Sequence, residues 1–314
     1  MAGRTVLEVR GLSVAFGQQP PVTRGVDLTL KAGQITALVG ESGSGKSVTS
    51  SAIMGLLPAG GRVVEGSVRE GGVDWLQTGA PLGRGLSMVF QDPMSSLNPS
   101  MRVADQVAEP IIVHGGLDLR SAWAEAVALL DAVELPDPER SARKYPHELS
   151  GGQKQRVMLA IALACKPRVL IADEPTTALD VTVQRAILEL IGRLQAQHDL
   201  AVLFITHDLA VVADIAEDVV VLRHGEVVES GAVRDVFQRP AHAYTRSLLA
   251  AHRRHVRHES AGGGDVLVEV QGVVKEFVTE RDVLGRTKAT FRALRGVDLE
   301  GMRGERLGVV GESG

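Results

Sequence analysis

The run Gly40-Glu41-Ser42-Gly43-Ser44-Gly45-Lys46-Ser47 fits the pattern G-x-x-x-x-G-K-[ST] and directly follows the apolar stretch Ile35 to Val39. That context, a strand leading into a glycine-rich turn, is what a phosphate cradle requires. The glycines let backbone amides face an anion. Lys46 would reach the outer phosphates, and the Ser47 hydroxyl is placed for Mg²⁺. A helix starting about Val48 would aim its positive end at the same charge. Further along, Asp173 and Glu174 close the apolar run Val169 to Ala172. One carboxylate there can hold the hydration shell of a metal ion, and its neighbour can orient or deprotonate an attacking water. A third feature is Leu149-Ser150-Gly151-Gly152-Gln153, which precedes a helical pattern. Exposed glycine amides and a serine hydroxyl at a helix N-terminus make a second anion site. One nucleotide has one phosphate tail, already met by Lys46, so this second site is best explained if it closes on a nucleotide held by another domain.

The elements that must position these groups are legible in outline. Ile35–Val39, Leu86–Phe90, Val169–Ala172, Val202–Ile205 and Val219–Leu222 are short, unbroken apolar runs. Such runs predict strands covered on both faces, as in a parallel sheet. Helical patterns lie between them, over Ser121–Val133 with Ser121 as N-cap, about Gln153–Cys165, and Val181–His198. The alternation predicts an α/β doubly wound core. Four of the strands run into Gly40, Gln91, Asp173-Glu174 and His207, so polar groups converge on one carboxyl-end edge, where open parallel sheets bind ligands. Taken singly, Phe16 reads as core or as an aromatic platform, and His207-Asp208 reads as a helix cap or a catalytic pair. The stretch from about Asp92 to Lys166 interrupts the sheet order and is expected to be an inserted helical subdomain.

Composition bounds the rest. The chain has 314 residues, 44% of them hydrophobic and only 3% aromatic, so its core is built from aliphatic side chains. A net charge of −4 gives no sign of a nucleic-acid partner. Cys165 is the only cysteine, which excludes a disulfide framework and a multi-cysteine metal site; it is expected to be a small buried residue. No signal-peptide core is seen at the start, and no apolar run approaches the roughly 20 residues that cross a bilayer. The basic stretch His252 to His258 reads as a solvated tail.

The sequence also repeats itself. Val9-Arg10-Gly11 is echoed by Val270-Gln271-Gly272, Arg24-Gly25-Val26-Asp27-Leu28 by Arg295-Gly296-Val297-Asp298-Leu299, and Val39 to Gly43 by Val310 to Gly314. The offset grows from 261 to 271, which places an insertion near 280–290. Residues 1–253 are thus expected to form one unit, 254–265 a glycine-rich linker, and 266–314 the truncated opening of a second copy of the same unit.

With these motifs in place, residues 5–250 resemble the ATP-binding cassette of ABC transporters. The resemblance implies a P-loop NTPase fold with a mostly parallel central sheet, antiparallel N-terminal strands and an inserted helical subdomain. It implies ATP and Mg²⁺ as cofactors. It places Phe16 on the adenine, Gln91 on the metal and water, Asp173 on the metal, Glu174 as general base and His207 on the γ-phosphate. Ser150, Gly151, Gly152 and Gln153 become the signature, and Asp180 in Ala178-Leu179-Asp180 lies at a dimer interface. The stretches Phe90 to Pro99, Tyr145 to Glu148, Ala172 to Gln184 and Pro240 to Leu249 are similar to importers of oligopeptides, dipeptides, nickel and glutathione. Implied partners are integral-membrane permease subunits, a second ABC cassette, and indirectly an extracytoplasmic solute-binding protein, with the chain peripheral on the cytoplasmic face of a bacterial membrane. Relatives often carry a cysteine-rich tail tied to an iron–sulfur cluster; Ser247 to His258 hold no cysteine, so no cluster is expected. Two other classes of cassette protein fit the sequence less well. A soluble tandem-cassette ATPase acting on ribosomes is disfavoured by the short glycine-rich connector. DNA-repair ATPases are disfavoured by the absence of heptads and zinc-binding cysteines.

Overall fold

The computed structural model describes residues 3–177, 179–253, 265–281, 287–305 and 307–309. Met1, Ala2, Ala178, the linker residues 254–264, residues 282–286 of the 280–290 insertion, Arg306 and the sequence repeat at 310–314 lie outside the described residues. The chain divides into two units, residues 1–254 and 255–314.

In the first unit the strands are β1 (Thr5–Phe16), β2 (Thr23–Lys31), β3 (Gln34–Val39), β4 (Gly61–Glu70), β5 (Val73–Asp74), β6 (Leu86–Val89), β7 (Val169–Asp173), β8 (Ala201–Thr206), β9 (Asp218–Arg223) and β10 (Glu226–Ala232). They form two sheets. One is antiparallel, ordered β2-β1-β4-β5; the other is ordered β10-β9-β3-β8-β7-β6 and is parallel except for the β9–β10 edge. The α/β class and the antiparallel N-terminal strands expected from the sequence are therefore present.

The unbroken apolar runs are explained by what each strand face touches. Leu170, Ala172, Val202 and Phe204 point into a cluster built with the helices that follow β6 and β7. Their neighbours Val169, Ile171, Leu203 and Ile205 point the other way, onto Leu7, Val9, Leu12 and Val14 of the antiparallel sheet. Ala37, Val39, Val219 and Val221 pack under Val212, Val233 and Tyr244. With the side-chain period of two, a strand apolar on both sides must be covered on both sides.

Between β6 and β7 the chain is helical, including Val103–Pro110, Leu119–Ala132 and Gly151–Leu163. Two expected boundaries shift. The helix expected at Ser121 begins two residues earlier, because Asp118, not Ser121, is its cap. The Asp118 carboxylate accepts from Arg120 and Ser121 amides, both at 3.0 Å. The Ser121 backbone and hydroxyl hydrogen bonds hold that carboxyl below its usual range. The helix expected from Gln153 begins at Gly151, because Ser150 and Gln153 form a reciprocal capping box. Val181–His198 has the expected bounds.

The second unit contains β11 (Val266–Arg281) and β12 (Thr287–Met302), paired antiparallel. It repeats the geometry of β1–β2. Gly11 accepts its turn at φ 58 and donates to Asp27 Oδ1; Gly272 has the same φ and donates to Asp298 Oδ1. The Leu12↔Val26 pairing becomes Val273↔Val297. Unlike β1, whose Leu7, Val9 and Leu12 are fully buried, this hairpin leaves Val266, Val274, Phe277 and Phe291 about half exposed.

The β9–β10 turn, His224-Gly225, has φ of 49 and 82, the pair of positive values a two-residue hairpin turn needs. A Cβ on Gly225 would sit 2.0 Å from the Val22 carbonyl oxygen. Gly225→Ala should therefore lower stability by about 1–3 kcal/mol, read as a fall in the urea midpoint.

Candidate nucleotide site

At the carboxyl edge of the parallel sheet the register aligns the strand ends. Val39 pairs with Thr206, Asp173 with Ile205, and Val89 with Ala172. The residues that follow these strands consequently meet at one place. They line a cavity of about 720 Å³, together with Phe16, Val22 and Leu248. The loop residues on its wall are Gly40, Glu41, Ser42, Gly43, Gly45, Lys46, Ser47 and Val48, and Gln91, Glu174 and His207 close it.

The loop is held open by glycine. Gly43 and Gly45 have φ of 80 and 105, and a Cβ on Gly45 would press on Thr23 at 2.9 Å. Gly45 caps the helix Lys46–Met54 with no side-chain hydrogen bond, so the first amides of that helix keep their donors for an anion. Ser44 faces inward instead. It is 5% exposed, and its carbonyl accepts from Gly225 N–H at 2.9 Å. Lys46 is 6% exposed, and its Nζ donates to the Gly40 and Glu41 carbonyls at 2.8 and 3.0 Å. Burial pushes its pKa down, against the pull of Glu174 and Asp173. A buried ammonium held only by carbonyls gains by meeting a phosphate.

Glu174 is the hub of the polar edge. Its Oε2 accepts from Gln91 Nε2 at 3.1 Å and Thr177 Oγ1 at 3.0 Å, and its Oε1 lies 3.2 Å from His207 Nδ1. Its backbone is left-handed, φ 46, and its N–H donates to the Ile205 carbonyl. A non-glycine residue in that region is strained and marks a position fixed by its surroundings. His207 and Asp208 separate into two roles: His207 joins Glu174, whereas Asp208 caps the helix Leu209–Ile215.

Asp173 supplies the test for a metal ion. It is 7% exposed, and its Oδ1 is buried without a hydrogen-bond partner. Burial pushes its carboxyl up, offset in part by the hydrogen bond from Ser47. An orphaned carboxylate oxygen beside a serine hydroxyl is a hard-oxygen pair that suits a divalent cation.

Not every expected site residue joins this cavity. Ser150, Gly151, Gly152 and Gln153 lie elsewhere on the same unit, with Gly151 and Gly152 close against Leu179 and Val183. Asp180 caps the helix Val181–His198 by accepting from Val183 N–H at 2.9 Å. Cys165 is half-buried, with its thiol donating to the Pro110 carbonyl. Sequence reasoning missed Thr177, Val22, Tyr244 and Leu248. Of these, Thr177 lay within reach, three residues after Glu174; the others depend on tertiary folding.

Comparison with known proteins agrees with the fold. Residues 23–177 match the family model described as ABC transporter. The chain is 41% identical, over 99% of its length, to a glutathione import ATP-binding protein of Salmonella typhimurium. It is 43% identical, over 98% of its length, to a peptidoglycan transport ATP-binding protein of Agrobacterium fabrum. It spans 56% and 58% of those relatives, about half their length. Among solved structures it is similar to cbiO1 from Clostridium perfringens, part of the ABC transporter complex cbiONQ (26% identity, TM-score 0.65, covering 75% of this chain and 92% of that one). It is also similar to an ATP-binding cassette in a post-hydrolysis dimer bound to ADP and Pi (29% identity, TM-score 0.62, covering 73% and 99%).

The Asp173 environment has a signed consequence. A carboxyl whose pKa is raised on folding binds protons more tightly in the native state, so stability falls as pH climbs from the unfolded value toward the folded one. Asp173→Asn removes that penalty. Without nucleotide, the variant should melt at or above the wild-type temperature at neutral pH, and the advantage should vanish below about pH 4. Scanning calorimetry between those limits checks it.

Proposed function

We propose that the protein is an ATP-hydrolysing subunit of the ABC transporter family, powering import of peptides or related small solutes; the match of residues 23–177 to that family's model supports the reading. The observation that carries this reading is the single cavity in which Lys46, Glu174, Gln91 and His207 meet. The relatives matched over almost the whole chain are named for glutathione import and peptidoglycan transport. Their permease partners, a place on the cytoplasmic face of the membrane and an indirect solute-binding protein come with the proposal. Among the described residues no helix is long and apolar enough to cross a membrane.

In this mechanism the amides of Gly43 to Ser47 and the Lys46 ammonium bind the phosphates, and Phe16 flanks the base. Asp173 and Ser47 would hold Mg²⁺, which would supply charge neutralisation for the phosphates. Glu174 orients and deprotonates the attacking water; Gln91, Thr177 and His207 fix the direction of its carboxylate. The capping-box helix at Ser150–Gln153 stands outside the cavity, so it acts on a nucleotide held by another cassette. That cassette is supplied by a second copy of this chain or by a unit opening with β11–β12, whose register repeats β1–β2. Closure and reopening of the pair would drive the permease.

Two outcomes follow. Glu174→Gln should reduce hydrolysis by at least about 10²-fold while retaining ATP, so that gel filtration shows an ATP-held dimer; turnover at the wild-type rate would refute the role. Co-expression with cognate permease subunits should move the protein into the membrane fraction, and cosedimentation with ribosomes instead would refute the transport reading.

A further inference from the structure

The segment Pro240-Ala241-His242-Ala243-Tyr244-Thr245-Arg246-Ser247-Leu248-Leu249 has no part in the mechanism above, yet it is built against the cavity. Glu229 on β10 accepts from the Ala241 and His242 amides at 2.8 and 3.0 Å, which pins the entry to the helix Ala243–Arg253. Tyr244, in the first turn, is 6% exposed. The Arg223 guanidinium lies over its ring, 4.8 Å from the centroid, a cation–π contact that fixes the ring plane. The Tyr244 hydroxyl oxygen accepts from the Glu41 N–H at 3.1 Å. One turn later Leu248 reaches the cavity wall beside Phe16 and Val22.

The consequence runs through one peptide plane. In a trans peptide the N–H points opposite to the preceding carbonyl, and no cis peptide occurs here. Tyr244 holds the N–H of the Gly40–Glu41 peptide, so the Gly40 carbonyl faces away from it. That carbonyl is the one that accepts from Lys46 Nζ at 2.8 Å. Residue 40 cannot brace its own peptide with a side chain, because a Cβ there would sit 2.2 Å from the Leu222 carbonyl oxygen. The brace has to come from outside the loop.

We propose that Tyr244 is a positioning residue for phosphate binding: its hydroxyl sets the Gly40–Glu41 peptide plane, and through it the Lys46 ammonium, from a helix beyond the sheet. This rests on the nucleotide reading above. A ring that merely filled the space over Val39 and Val221 would be replaced by phenylalanine without loss; a hydroxyl that orients a peptide would not.

The test uses the full chain and the variants Tyr244→Phe and Lys46→Ala. MgATP affinity is read by displacement of a fluorescent ATP analogue, and the thermal midpoint without nucleotide is read alongside. Tyr244→Phe should weaken MgATP about three- to tenfold, the worth of one hydrogen bond, with the midpoint within about 2 °C of wild type. In turnover, KM should rise by the same factor while kcat stays within about twofold. Wild-type affinity in Tyr244→Phe, or a loss that only tracks a falling midpoint, overturns the proposal. Absence of MgATP binding by the wild type, or binding unimpaired in Lys46→Ala, sinks the nucleotide reading itself and this inference with it.

Discussion

The constraint on which the rest depends is a buried ammonium. Lys46 is taken out of water at the start of a helix and is met by two carbonyl oxygens of its own loop. Burying a cation is unfavourable unless strong acceptors replace its hydration. The loop supplies them because Gly40, Gly43 and Gly45 let the backbone fold around the side chain. That fold in turn requires β3 to end beside β8 and β9, and requires the β9–β10 turn to press on the loop from behind through Gly225 and Ser44. The sheet, the turn and the helix are arranged around one charge.

Much of this was legible from the residues because it is local. The strand ends at Gly40, Gln91, Asp173 and His207 could be placed on one edge from unbroken apolar runs alone, since a parallel sheet puts all its carboxyl ends together. The glycine and lysine spacing specified the cradle. Less visible was anything that depended on which competing group wins. Both Asp118 and Ser121 are good helix caps, and only the path of the chain selects Asp118. Phe16 could have been core; its place on the cavity wall follows from the end of β1 abutting Gly61, whose Cβ would meet the ring at 2.9 Å. Leu248 and Val22 were invisible because a lone leucine or valine carries no signal until the chain brings it to a ligand.

The two units differ in how far their sequence is matched by partners. In the first, β1 and β2 place Leu7, Leu12 and Leu30 fully inside a shared core with the parallel sheet. In the second, the same alternation on β11 and β12 presents Val268, Val274 and Phe277 at the surface. Two-stranded sheets gain little from their own hydrogen bonds and need a covering layer. Long, apolar, two-sided hairpins also invite pairing with other strands.

The left-handed backbone at Glu174 has an evolutionary corollary. Glycine would relax that residue and remove its strain, so selection for a sturdier fold alone would drive the position toward glycine. The carboxylate, which glycine lacks, is what Gln91, Thr177 and His207 gather around. Stabilising substitutions should leave the position untouched, since the most comfortable residue for the backbone is the one that removes the carboxylate from the cavity.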